Sequence, residues 1–179
     1  EDIKKFLTQI EIFDMFKSSK RILLFLVNQK VIIFNQKMVD EIIVKKFRFY
    51  RYMEYFYPEI EQFLKDGDKF LVNTHYQKDL EQNFEENRKI GENHHKICQL
   101  IRDDKLDDFI VFINETNCSI NSEIERSIFE TNQLLCITEK ITLIEYALFF
   151  GSIRIVKYLL LKRVKMPSSA WILAIHSNN

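Results

Sequence analysis

The sequence predicts an all-α fold, and three observations predict it. Glycine and proline number only 3 and 2 among 179 residues, which leaves little material for the tight turns of β-hairpins. Apolar residues recur at spacings of three and four along most of the chain, the periodicity of one helix face. The stretch from Thr142 to Met166 shows that spacing twice. Ile144, Ala147 and Leu148 precede Gly151, and Ile155, Val156, Leu159 and Leu160 follow it. Glycine takes the left-handed conformation that closes many helices without a Cβ clash. Two helices of about two turns each cannot bury their apolar faces against each other alone, so this pair needs neighbours.

The N-terminal elements follow from the same spacing. Residues 1–16 pattern as an amphipathic helix through Ile3, Phe6, Leu7, Ile10 and Phe13. Ser18 or Ser19 can cap a second helix that turns Ile22, Leu23, Leu26 and Val27 inward. A third helix is expected from Val31 to Lys45, with Ile32, Ile33, Met38, Ile42 and Ile43. The β-branched runs Val31–Ile33 and Ile42–Val44 also suit strands, but the spacing and the lack of hairpin residues favour helix. Pro58 suits the first turn of a helix ending at Gly67, with Glu59 and Glu61 at its positive end. Residues 73–92 read as a polar connector or exposed helix, so the domain boundary falls between an N-terminal region, 1–72, and a second region, 93–179.

Charge and composition exclude several classes. The chain is 46% hydrophobic and 29% charged, a globular balance. Basic and acidic side chains number 26 each, so no global field draws nucleic acid or an anionic membrane. The distribution is uneven: residues 61–140 carry 10 basic and 17 acidic side chains, and residues 141–179 carry 5 and 1. Cys98, Cys118 and Cys136 are odd in number and widely spaced, which suits free thiols in a reducing, intracellular and cytoplasmic setting. The apolar runs are too short to span a bilayer. The chain starts without methionine and stops soon after Ser169, so it reads as a piece of a longer protein.

One stretch offers a binding chemistry. Lys45 to Tyr57 interleaves Lys45, Lys46, Arg48 and Arg51 with Phe47, Phe49, Tyr50, Tyr52, Tyr55, Phe56 and Tyr57. Single-stranded nucleic-acid sites use aromatic platforms beside cations. A helix that packs its aromatics inward and lets its cations reach water has the same sequence. The zero net charge favours the second account, and an RNA-associated module stays as the alternative.

The second region repeats itself. Ile97, Leu100 and Ile101 form a first face, and Leu106, Phe109, Phe112 and Ile113 a second. Superposed on the 142–166 pair, Leu100 falls on Ala147, Asp104 on Gly151, Phe109 on Val156 and Ile113 on Leu160, an offset of 47 residues. A third copy starts at Ser169, with Trp171 on Ile144, Ala174 on Ala147 and Asn178 on Gly151. The copies span about 93–121, 142–166 and 169–179. Between the first two lies an inserted segment near 122–135, expected as a short helix with a Ser122–Glu125 capping box.

The segment 142–166 resembles one ankyrin repeat, whose family pattern runs T-P-L-H-x-A-A-x-x-G-H-x-x-I-V-x-x-L-L. Thr142 stands at the threonine, Ile144 at the leucine, Ala147 at the first alanine and Gly151 at the glycine. Ile155 and Val156 match the isoleucine-valine pair, and Leu159 and Leu160 the paired leucines. Leu143, Glu145 and Leu148 depart from the proline, histidine and second alanine, and Arg163 and Val164 replace the usual Gly-Ala. The offset of 47 exceeds the usual repeat of about 33 residues, and the insert accounts for the excess. The phrases FETN, TLIEYALFFGSI and WILAIHSNN further resemble a divergent ankyrin family expanded in parasitic protists, which carries a helical N-terminal region of unassigned function. The likeness is close over the last half of the chain and loose over the first.

That resemblance implies a helical solenoid cut within its last repeat, with further repeats expected C-terminal to it. It implies a non-catalytic scaffold that binds other proteins through hairpin loops and first helices. The residues so placed are Glu145, Phe149 and Phe150 in the second copy and His176 and Ser177 in the third. A purely structural capping segment of a longer solenoid is a further alternative.

Catalytic and cofactor chemistry find no pattern. His94 and Cys98 lie four apart with His95 adjacent, but a structural zinc site needs four ligands. Asp103, Asp104, Asp107 and Asp108 lack the alternating ligands and central glycine of a calcium loop, and suit an inter-helix turn and a helix first turn instead. The glycines are isolated, so no phosphate loop forms, and no nucleophile motif appears. No enzyme, metal or cofactor is expected.

Overall fold

A computed structural model describes residues 7–44, 51–69, 83–138, 140–168 and 170–176. The chain is mostly helical. Among the described residues an isolated antiparallel bridge, Glu123 with Thr142, stands outside that helical pattern. The chain divides into two compact units: Glu1–Glu92 with Ile128–Ile137, and Asn93–Ser127 with Thr138–Asn179. The insert between the first two copies is therefore split, and its second part belongs to the N-terminal unit.

The first unit holds α1 (Gln9–Phe16), α2 (Lys20–Asn28), α3 (Gln36–Val44), α4 (Tyr52–Tyr55), α5 (Tyr57–Ile60), a 3-10 turn (Glu61–Phe63) and α6 (Phe84–Ile90). Helix α1 starts at Gln9 rather than at the chain's beginning, because Thr8 and Glu11 form a capping box. The Glu11 carboxylate accepts from the Thr8 backbone N–H at 2.8 Å. Ile3 and Phe6 lie outside the described residues. Ser19 caps α2 by accepting the Ile22 N–H. The inward face of α2 departs from expectation: Lys20, Leu23, Leu24 and Leu26 are buried, while Ile22 is exposed and Val27 half-buried.

The expected third helix loses its first turn. Lys30 adopts φ 55°, and Val31 donates back to the Leu26 carbonyl, which closes α2. Residues 31–35 then run without helix, with Ile32 and Phe34 buried and Ile33 exposed, the alternation of extended chain. Asn35 accepts from the Met38 N–H and starts α3. Pro58 lies in the first turn of α5 as expected, but the helix gives way to the 3-10 turn after Ile60. An aromatic chain threads this core. Phe13 meets Phe34 at 6.3 Å, Phe34 meets Phe56 at 5.5 Å, and Phe56 meets Tyr55 at 4.9 Å.

The insert completes this core. The Ser122–Glu125 capping box does not form, because residues 122–124 bond instead to the chain entering the next helix. Ile124 donates to the Ile141 carbonyl, and the Ser122 carbonyl accepts from Leu143. The helix of the insert comes later, as α9 (Gln133–Ile137), where Asn132 accepts from the Leu134 N–H. Ile128, Phe129 and Leu135 are buried, and Phe129 packs on Phe84 at 5.5 Å. At Gly91, φ is 73° and a Cβ would lie 3.0 Å from the Thr131 hydroxyl, so only glycine fits where Thr131 bonds the Gly91 carbonyl.

The second unit is built from helical hairpins. The first pairs α7 (Lys96–Arg102) with α8 (Leu106–Thr116), and the second pairs α10 (Leu143–Phe149) with α11 (Ile153–Leu161). Helix α12 (Ala170–His176) follows. Helix α10 packs on α7 and on α12, and α11 packs on α8. The two hairpins share their turn. Asp104 has φ 48° and Gly151 φ 67°. Lys105 donates to the Leu100 carbonyl at 3.0 Å, and Ser152 donates to the Ala147 carbonyl at 2.9 Å.

Burial does not keep the same register. Phe109 is buried while Val156, its expected counterpart, is half-buried; Ile155 occupies the buried place instead. The turns repeat at 47 residues, but the buried faces of the second helices match at 46. In α12 the buried residues are Ala170 and Leu173, and Trp171, expected to match buried Ile144, is 81% exposed with Ile172 and Ile175 beside it.

Polar bonds join the hairpins. The Asp104 carboxylate accepts from the Arg154 and Ile155 N–H groups at 3.0 Å each, capping α11 from the neighbouring hairpin. The buried Ser152 hydroxyl donates to the Ile101 carbonyl. Loss of a side-chain cap costs typically about 1 kcal/mol and up to about 2 kcal/mol. Asp104→Ala is therefore expected to lower unfolding free energy by that amount in a denaturant melt. Asp104→Asn, which keeps an acceptor and tolerates the left-handed turn, should lose less than half of it. Equal losses for both variants would mean that the carboxylate does not cap α11.

Candidate functional site

The face carrying the expected partner-binding residues is formed by α10 and its turn. Glu145 closes a capping box with Thr142, its carboxylate accepting from the Thr142 N–H at 2.9 Å and hydroxyl at 2.8 Å. The Glu145 carboxylate is thus used inside the helix start. Phe149 is 7% exposed and lies edge-on to Phe150 at 5.0 Å. It is a core side chain, because only Phe150 keeps a half-exposed ring. Phe150 also packs on Tyr146 at 4.7 Å, and the Arg102 guanidinium lies 5.8 Å from its ring centroid. Arg102 is fixed by donating to the Tyr146 hydroxyl at 2.8 Å and the Asn93 carbonyl at 2.7 Å. A cation over an aromatic face, half in water, is a ready contact for a partner. His176 is the last residue of α12, and Ser177 lies outside the described residues.

A groove of about 370 Å³ opens in the same unit, lined among others by His95, Ile97, Phe112, Cys118, Glu123 and Leu143. His94 Nδ1 meets the Ser127 hydroxyl at 2.8 Å, and Cys98 is buried. Among the described residues no three His, Cys, Asp or Glu side chains are grouped to hold a metal. Asp104 is committed to α11, and Asp107 and Asp108 lie in the first turn of α8.

The basic aromatic stretch is only partly described. Lys45, Lys46 and Arg48 lie outside the described residues. Arg51 is half-buried, with φ 54°, and pairs with Glu54 at 3.5 Å. Tyr52, Tyr55, Phe56 and Tyr57 are buried. Between residues 51 and 57 these rings fill the core and offer no stacking platform.

Sequence reasoning missed a buried ion in the same region. Lys20 is 2% exposed. Its ammonium donates to the Ile128 carbonyl at 2.9 Å and the Glu130 carbonyl at 3.1 Å. It also lies 5.1 Å from the Tyr55 ring and 5.7 Å from the Tyr52 ring. Burial pulls its pKa down to about 8, while Cys136, Glu54 and Glu130 pull it up. Burial likewise pushes the Tyr52 and Tyr55 phenols well above their usual range. The only local signal was a lysine at the start of a helix whose apolar face would bury it.

No protein-family model, curated protein or solved structure matches this chain. Among the described residues no helix is long and apolar enough to cross a membrane.

Two outcomes follow from these placements. The unfolded chain keeps the Lys20 proton to about pH 10, while the folded chain releases it near pH 8. Folding stability should therefore rise with pH across that window, by at most about 1.4 kcal/mol per pH unit. Above it the tyrosines reverse the trend, since their neutral form is the one folding favours. Chemical denaturation of Lys20→Met at several pH values should show the rise removed, and parallel profiles for both chains would rule the linkage out. Phe149→Ala should destabilise by about 3 kcal/mol, the usual loss for a buried phenylalanine. Phe150→Ala should destabilise far less, and the melting temperatures of the pair separate a core ring from a surface one.

Proposed function

We propose that this chain is a non-catalytic protein-interaction module, with residues 93–179 forming a divergent ankyrin-type solenoid. The observation that carries the reading is the repeated hairpin. Two seven-residue first helices, α7 and α10, end in left-handed turns at Asp104 and Gly151, and each returns a matching backbone bond from the residue after the turn. First helix packs on first helix and second on second, the arrangement a stacked repeat requires. The resemblance of 142–166 to the ankyrin pattern supports the reading, and Glu145, at the place of the pattern's histidine, closes the helix start with Thr142.

The surface such a module would use is the half-exposed ring of Phe150 under Arg102. It is rigid before any partner arrives, because Arg102 is held by two hydrogen bonds and Phe150 by two aromatic neighbours. Pre-ordered aromatic and arginine groups lose little entropy on binding and dominate many interfaces. Nothing in the described part of Lys45–Tyr57 favours the RNA reading over this one.

Affinity capture with the wild-type chain and with Phe150→Ser as paired baits tests it. A reproducible set of proteins should survive high salt on the wild type and fall at least tenfold on the variant, with the two melting temperatures close. Identical capture by both baits would remove Phe150 from the interface. Capture that disappears with nuclease or high salt would replace the protein interface with an electrostatic, nucleic-acid one.

A further inference from the structure

We propose that the end of α11 and the turn after it form a docking surface for an anionic lipid bilayer. This surface lies apart from Phe150 and Arg102, and it goes beyond the protein-interaction reading. It joins Lys157, Leu161, Lys162, Arg163, Lys165 and Met166. All four cations are exposed, and none pairs with a carboxylate among the described residues. After Glu145 the sequence contains no acidic residue at all, so the charge is not neutralised by its own segment. The Leu161 side chain is 83% exposed and Met166 49%. Two projecting aliphatic groups thus stand among four cations that have no carboxylate partner among the described residues, one of them, Lys162, 5.6 Å from the Tyr158 ring centroid.

The fold does not demand this chemistry. The first hairpin ends the same way. Asn117 has φ 52° and Arg163 φ 64°, and Cys118 and Val164 donate to carbonyls five residues back. At that matching place the first hairpin carries Asn114, Glu115, Thr116 and Asn117, all exposed and without a cation. Those residues stay in water even though α8 has α11 packed beside it. A leucine at the equivalent of Asn114 or Glu115 is therefore not explained by stacking of hairpins.

Cations alone would suit nucleic acid or an acidic protein. The leucine and methionine decide between occupants. A side chain so fully projecting would need a matching pocket on a protein, and nucleic acid gains little from an aliphatic wedge beside a phosphate backbone. A bilayer with anionic headgroups accepts both at once: the cations meet the phosphates and the apolar groups enter the acyl boundary.

The test is flotation of the full chain with phosphatidylcholine vesicles that contain or lack phosphatidylserine. Binding is expected only to the anionic vesicles and should weaken as salt rises. Each surface cation removed should weaken it about fivefold. The double variant Arg163→Gly with Lys165→Gln should therefore lose about 25-fold, with a melting temperature no lower than wild type, since glycine suits the left-handed position better than arginine. Leu161→Asn, which replaces the projecting aliphatic group with a polar one, should abolish the binding that persists at high salt. Binding that ignores phosphatidylserine, or a double variant that floats like wild type, would overturn the proposal. So would selective capture of random single-stranded RNA over vesicles with loss in the same double variant.

Discussion

The second unit depends on one carboxylate placed across a gap between hairpins. Helix α11 begins at Ser152, whose side chain makes no cap to its own helix. The first N–H groups of any helix lack partners within it. Asp104, from the neighbouring turn, accepts two of them, and Ser152 is thereby free to bond back to Ile101. The exchange fixes both the distance and the rotation of one hairpin on the next. Apolar burial of Ile155 and Leu159 is non-directional, whereas these hydrogen bonds are directional. The Arg102–Tyr146 bond, also between hairpins, holds the ring face that the proposed interface uses. The aromatic surface and the stacking are one construction.

The first unit is built on an opposite compromise. Lys20 is a cation placed in a core, where desolvation is severe. Its compensation comes from carbonyls of residues more than a hundred positions away, Ile128 and Glu130. The Glu130 carbonyl also accepts from the Cys136 thiol of the insert at 3.2 Å, so lysine and insert share the task of satisfying buried polar groups. This gives a physical reason for the insert's length. A shorter connection between the hairpins could close the second unit, but it would leave the Lys20 ammonium and the Phe84 ring without their partners in the insert. Arg88 adds a second buried cation in the same manner, with two bonds to the Glu59 carboxylate and one to the Tyr55 carbonyl.

Much of this was legible where information is local. Ser19 before an apolar run, Pro58 in a first turn, and the spacing around Gly151 each act within a few residues, and each element appears where that chemistry puts it. The rest was hidden for two reasons. First, long-range partners leave no trace in a window. Nothing near Asp104 says that its carboxylate leaves its own turn, and the acidic cluster around it reads equally well as first-turn charge. Nothing near Lys20 announces two distant carbonyls, so the inward face of α2 was drawn through Ile22 rather than Leu24. Second, helix ends were masked by the scarcity of glycine. Lys30, Asp104, Asn117 and Arg163 all occupy the left-handed position that glycine holds at Gly151, and the same closing bonds follow each. A reader looking for glycine finds, among the described residues, two such helix ends of six, at Gly91 and Gly151.

That scarcity also explains the mismatch between the turns and the buried faces. A repeat measured by its turns is 47 residues long, because turn geometry is set by backbone dihedrals that Asp104 and Gly151 share. A repeat measured by its core is set by which side chain reaches the neighbour. Helix α8 runs eleven residues and α11 nine, so their closing turns, at Asn117 and Arg163, are already one residue out of step with their opening ones. The side chains that bury follow the closing turn: Phe109 and Ile113 align with Ile155 and Leu159, not with Val156 and Leu160. A sequence superposition anchored on Gly151 therefore recovers the architecture but pairs the second helices one residue out of step, setting Phe109 on Val156 instead of Ile155. The residues it wrongly places inward include Leu160, which keeps 40% of its surface in water at the end of the helix where the exposed cations gather.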